Sequence, residues 1–254
     1  MAENLDSRVL GAISLVDAAT GQRIVEHMSV SSGSATLFRN RSSLYVISDA
    51  DGLANYVASF DTPSAPPVGS SVISLEVTDP NNKYLSRVAS IALPRDAIAA
   101  NWQNSDSVFQ PISLELYRNV QTKTLVNWSL VRVTAEDGSG APVSGAFVQV
   151  LRVSDDELLG RGITDQRGEA LVIIPNIPIT IFSDSDEDED EDDEDEPAVL
   201  VMDINARVEI SVAPATQWPV DPDVLQANHN SQIEDTANTS LRTGRTEVVR
   251  FVLS

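Results

Sequence analysis

The chain of 254 residues contains no cysteine. A disulfide framework is excluded, and the composition fits assembly in a reducing cytoplasm. Histidine is almost as scarce. His27 and His229 stand far apart, and neither has a second His or a Cys at metal-ligand spacing, so a zinc site is not expected. No Gly-x-Ser-x-Gly elbow occurs. Gly33 stands alone among serines, and Gly138-Ser139-Gly140 does not open a helical pattern, so a phosphate-binding loop is missing too. No window approaches the roughly 18 apolar residues of a membrane helix. The opening MAENLDSRVLG lacks a basic region and an apolar region, so no secretory signal is expected. The Asn-x-Ser/Thr triplets at Asn40, Asn127 and Asn238 then read as chance matches. The reading assigns no catalytic, cofactor-binding or metal-binding residue, and the protein is not expected to be an enzyme.

Positive charge is also in short supply. The formal net charge is -21, which argues against nucleic-acid or anionic-membrane binding, since both need a basic surface. The excess is concentrated. Asp184 and the run Asp186 to Glu196 hold 12 acids, and the other 26 acids and 17 bases leave only -9. Carboxylates suit Ca²⁺, but the run lacks the Gly and the ligand spacing of an EF-hand loop. A self-repelling surface loop between two strands is favoured over a cation site. A contact with a basic partner, or repulsion between assembled copies, is a third reading. Asp17, Asp137 and Asp165 each sit in a turn where local hydrogen bonding explains an Asp without a metal. Trp102, Trp128 and Trp218 are dispersed, and core or interface roles are favoured over carbohydrate stacking.

What is present is strand pattern. Apolar residues make up 42% of the chain, enough for real cores. Runs that alternate with a period of two recur every 8 to 14 residues, as in Val72 to Thr78, Val88 to Leu93 and Ile112 to Leu116. No stretch holds an apolar 3.6 period over three turns. The spacing predicts an all-β protein of two tandem β-sandwich domains with a disordered acidic loop. The expected division is 1-120 and 121-254, with the acidic insertion at 183-197 and a long loop at 214-243. Asn55 to Phe60 reads as a strand, Ala97 to Asn101 as one helical turn capped by Asp96, and Asp223 to Asn228 as weakly helical. Both halves open with a strand, an Asp-and-Gly turn and a second strand, a faint internal repeat.

Pro142 to Pro175 organises the second half. Ala146 to Leu151 alternates, Asp155-Asp156 breaks the run, and a second strand leads to Thr164-Asp165-Gln166-Arg167-Gly168. Ala170 to Ile174 is a third strand, and the short links make neighbours antiparallel. The step Val143-Ser144-Gly145-Ala146, the Thr164-Asp165-x-x-Gly168 turn and the apolar strand after it resemble the carboxypeptidase-regulatory-like, or transthyretin-like, β-sandwich. That resemblance implies fold and leaves function open.

A second resemblance rests on Phe38 to Val46, on Phe60-Asp61 through Val72 to Asp79-Pro80, on Tyr84 to Arg87 with Leu93-Pro94-Arg95, and on Thr164 to Ala170. These segments are similar to a family of two-domain proteins of phage-tail-like contractile injection systems. Ser43 departs from the family's Gly, Ser86 from its Pro, and the acidic run has no counterpart. The resemblance implies a structural component assembled in the cytoplasm, a cap or cap adaptor at the end of the sheath and tube or a baseplate accessory. Its implied partners are sheath, tube or terminator proteins and a three-fold or six-fold ring of its own copies. An exported carbohydrate- or protein-binding sandwich is the alternative.

Overall fold

Alternating burial along the strands follows alternation in the sequence. In β5 (Ser71–Thr78) Ile73, Leu75 and Val77 are buried while Val72, Ser74 and Glu76 face water. Burying each such side chain contributes about 1.5–3 kcal/mol, so one sheet face closes on a partner sheet. The computed structural model describes residues 8–58, 66–175, 177, 180–182, 199–201, 203–214 and 217–253. They form an all-β protein of two compact units. The first holds residues 1–122 with 214–228, and the second holds 123–213 with 229–254.

The first unit is a sandwich of a four-stranded and a three-stranded sheet. Its strands are β1 (Gly11–Asp17), β2 (Ser29–Ser31), β3 (Ala35–Arg39), β4 (Tyr45–Ala50), β5, β6 (Arg87–Leu93) and β7 (Ile112–Leu116). One sheet runs β3-β4-β1-β7 and the other β2-β5-β6. β1 is antiparallel to β4 but parallel to β7, from Ile13↔Ile112 to Asp17↔Leu116. Leu10, Ile13, Leu15, Ile47, Ile73, Leu75, Ile91, Leu93, Leu114 and Leu116 fill the core.

The second unit has β8 (Ser129–Asp137), β9 (Phe147–Arg152), β10 (Leu158–Ile163), β11 (Glu169–Ile174), β12 (Thr180–Phe182), β13 (Val199–Val201), β14 (Ile204–Ser211), β15 (Ile233–Leu241) and β16 (Thr246–Leu253). Its sheets run β10-β9-β14-β15 and β11-β8-β16, with β12 and β13 a separate pair. Val131, Val133, Val148, Val150, Val172, Val208, Ile210 and Phe251 lie at its core.

Several expectations are corrected. Asn55 to Ala58, the described part of the expected strand Asn55 to Phe60, is helical: α1 (Ala54–Ala58) is a short helix that buries Tyr56. Apolar runs this short fit either structure until tertiary packing chooses. β11 does not pair with β10; it crosses to the other sheet and pairs with β8. The span 214-243 is not one loop. It contains α2 (Pro222–Asn228), a 3-10 turn (His229–Ser231) and the nine-residue strand β15. Its first part, 214–228, belongs to the first unit rather than the second. The acidic insertion 183-197 lies outside the described residues.

Candidate functional site

Three buried polar networks carry most of the chemistry, and each is set by a strand whose core parity ends on a polar residue. In the first unit Asp17 follows Ile13 and Leu15 inward and is 3% exposed. Its Oδ1 accepts from the Ala19 and Thr20 amides, and its Oδ2 accepts from Tyr84 Oη at 2.8 Å and Arg118 Nε at 2.7 Å. Burial, then the bond to Asp17, pushes the Tyr84 phenol above its ordinary value. The adjoining cleft, about 230 Å³, carries Arg23, Glu26, Lys83 and Arg118, charges of both signs. Lys83 pairs with Glu26 at 3.2 Å.

Arg87 is the second centre. It shares the inward parity of Ala89, Ile91 and Leu93, and its side chain is 2% exposed. Nη1 donates to the Glu115 carbonyl at 2.8 Å, and Nη2 reaches Asp223 at 2.7 Å and Asp221 at 3.3 Å. The Val88 amide donates to the Val220 carbonyl at 2.9 Å. Among the described residues, Val220 to Asp223 are therefore fastened beside β6 by a backbone bond and a buried guanidinium. Burial raises the Asp221 carboxyl above its ordinary value, with Arg87 opposing.

The third network, in the second unit, has the composition of a nucleophilic triad. Ser211 Oγ lies 2.6 Å from His229 Nδ1, and His229 Nε2 lies 3.3 Å from Glu209 Oε2. A carboxylate only accepts, so in the neutral ring the hydrogen sits on Nε2, and Nδ1 accepts from the Ser211 hydroxyl. Arg207 Nε donates to the other Glu209 oxygen at 2.7 Å. Phe147 meets the imidazole edge-on at 5.4 Å. Ser211 is 2% exposed and His229 1%, so no substrate carbonyl reaches the hydroxyl. The cluster anchors the 3-10 turn where the chain re-enters the second unit.

The aspartates of the turns act as their sequence suggests. Asp137 Oδ1 accepts from the Ser139 and Ala141 amides, and Asp165 Oδ1 from those of Arg167 and Glu169. Among the described residues no group of three or more His, Cys, Asp or Glu could hold a metal ion. His27 is exposed and lies outside β2, whereas His229, read from sequence as a loop residue, is buried.

The surface site best built for contact is the loop between β6 and β7. Asp96 organises it: its amide donates to the Asp106 carbonyl, its carbonyl accepts from Val108, and its carboxylate takes the Ile98 amide and Asn101 Nδ2. Those bonds, the Ile98 amide first, hold the carboxyl below its ordinary value. Arg95 donates to the Ser105 and Ser107 carbonyls, and Gln110 Nε2 to the Trp102 carbonyl. Ala99–Asn101 is one 3-10 turn, with Ile98 at the cap position expected for Asp96. This frame leaves Ile98, Trp102 and Phe109 exposed by 61%, 53% and 54%. Trp128, by contrast, is buried, and Trp218 is half-buried. No periodic signal marks this display in the sequence, because its order comes from hydrogen bonds to Asp96.

No family model and no curated protein matches the chain. Among solved structures, the Bacillus anthracis TIE protein aligns over 97% of this chain and 34% of its own, at 8% identity and a TM-score of 0.28. A streptococcal ancillary pilin aligns over 86% and 50%, at 10% identity and 0.26. A minor pilin of Streptococcus agalactiae aligns over 96% and 95%, at 7% identity and 0.25. The chain thus spans about a third and a half of the first two. Likeness at this level says nothing about activity, partner or location.

Proposed function

We propose that the protein is a structural component of a phage-tail-like contractile particle, a cap or cap adaptor assembled in the cytoplasm, which binds its neighbours through the Pro94–Gln110 loop. The observation that carries the contact is the display of Ile98, Trp102 and Phe109 on a loop already ordered by its own hydrogen bonds. Aromatic anchors on a rigid frame bind with little ordering cost, and such residues dominate protein–protein contacts. The particle itself is supported by the resemblance of Phe38 to Val46, Phe60-Asp61 through Val72 to Asp79-Pro80, Tyr84 to Arg87 with Leu93-Pro94-Arg95, and Thr164 to Ala170. The partners are sheath, tube or terminator proteins in a three-fold or six-fold ring.

A baseplate accessory or an adhesive sandwich is the second reading. Asn101, Gln103 and Asn104 flank Trp102, and amides beside an exposed indole also suit a sugar ring. Tagged protein drawn from its native lysate and viewed by electron microscopy separates the two. Sheathed tubes labelled at one end, with label lost in Trp102→Ala/Phe109→Ala, are expected. A monomer without tubes, binding glycans through Trp102, overturns the particle reading.

A further inference from the structure

The outer edge of the second unit's larger sheet is open. Among the described residues β15 pairs only with β14, from Ile204↔Leu241 to Ser211↔Ile233, so its second row of backbone donors and acceptors faces outward. Natural edges are guarded by Pro, Lys, short length or a bulge. β15 runs nine residues with neither Pro nor Lys, and its one irregularity lies at the Ile210/Ser211 end. Glu234, Thr236, Asn238 and Ser240 are exposed on its outer face, while Ala237 and Leu241 turn toward the core.

We propose that β15 pairs antiparallel with β15 of a second copy, about a two-fold axis beside Asn238, joining two four-stranded sheets into one of eight strands. Complementary charge selects this occupant and this register. Centring on Asn238 sets Glu234 of each copy opposite Arg242 of the other, and Thr236 opposite Ser240. Centring one residue earlier or later faces Arg242 with Gln232 or Thr236 and loses both ion pairs. Arg242 is held at the strand end by Asp203, with Nε and Nη2 at 2.6 and 2.8 Å. Among the described residues that leaves Nη1 for the second copy's Glu234. Exposed ion pairs are weak and choose the register, while ladder hydrogen bonds supply the association. A single added strand pair is a small interface, so dimerisation is concentration-dependent. The pairing stands whether or not the particle reading holds.

The missing cysteines make the test clean, because one introduced thiol reports one contact. With a short bismaleimide, Asn238→Cys is expected to give mostly covalent dimer. Thr236→Cys and Ser240→Cys should stay at the level of a Thr246→Cys control when alone, and cross-link when mixed. Asn238→Lys, which sets two charges face to face, should abolish the dimer in sedimentation equilibrium and leave the melting temperature unchanged. Asn238→Cys cross-linking no faster than the Thr246→Cys control, or a wild-type chain monomeric at every concentration, overturns the pairing. Cross-linking of Thr236→Cys with itself overturns the register.

Discussion

The two units use one strand plan and differ at one strand. In each, the first strand lies between the fourth and the last, antiparallel to the former and parallel to the latter: β1 between β4 and β7, β8 between β11 and β16. In each, the second strand neighbours the one that follows the long insertion: β2 beside β5, β9 beside β14. The third strand changes sides. β3 joins β4, whereas β10 joins β9. In the first unit β2 offers three residues and β4 six, so the longer ladder lies ahead of β3; in the second β9 and β11 offer six each, and β10 folds straight back on β9. The insertion falls at the same step in both, holding α1 in the first unit and the β12–β13 pair in the second.

Breaking each unit at its own polar centre tests how separate these plans are, with hydrogen exchange read strand by strand. Arg87→Met leaves the largely buried Asp221 carboxyl without its cation and should cost the first unit about 3–5 kcal/mol, with β5 and β6 losing protection first and β9 and β14 unchanged. His229→Ala opens a cavity and takes the imidazole partner from Ser211 Oγ and Glu209 Oε2, while Arg207 still pairs with Oε1; it should cost the second unit about 2–4 kcal/mol, with the first unit unaffected. The turns before the fourth strands give a finer contrast. Gly168 sits at φ +73°, and a Cβ there would overlap the Ala135 carbonyl oxygen. Gly168→Ala should lower the second unit's stability by about 2 kcal/mol. Ser43, in the left-handed region at φ 59°, is the first unit's counterpart. Ser43→Gly relieves about 1 kcal/mol of backbone strain but gives up the Oγ acceptor for Arg39, so denaturant midpoints should barely move.

Acid gives the smallest and most selective effect. The Asp221 carboxyl is raised above 3.8 by burial, so as pH falls the folded chain takes up that proton before the unfolded chain does. The first unit should gain stability as the pH falls from neutrality toward the ordinary carboxylate range. Asp137 and Asp203 are lowered, by Ser139 and by Arg242 first, so their contributions are lost only below the ordinary value. Exchange rates should therefore diverge between the units over that range, and Asp221→Asn should remove the divergence.

Strands with one dry face were legible: β5, β6 and β7 stand where alternation puts them, and the Asp turns hold their own backbones. β15 was not, because Glu-Asp-Thr-Ala-Asn-Thr-Ser has almost no apolar parity; its strand comes from the ladder with β14. The polar centres were half legible. Arg87 and Asp17 sit in register with core residues, and that parity was a readable sign of burial. Nothing in the sequence joins His229 to Ser211, because their approach depends on a chain that leaves for the first unit and comes back.

That return has a consequence for synthesis. β6 emerges from the ribosome roughly 130 residues before Val220, which covers its edge. At translation speeds of about 5–20 residues per second, the edge waits on the order of ten seconds for its cover. The first unit is thus completed only after most of the second has been made, and its quality control falls to whatever meets that strand in the interval.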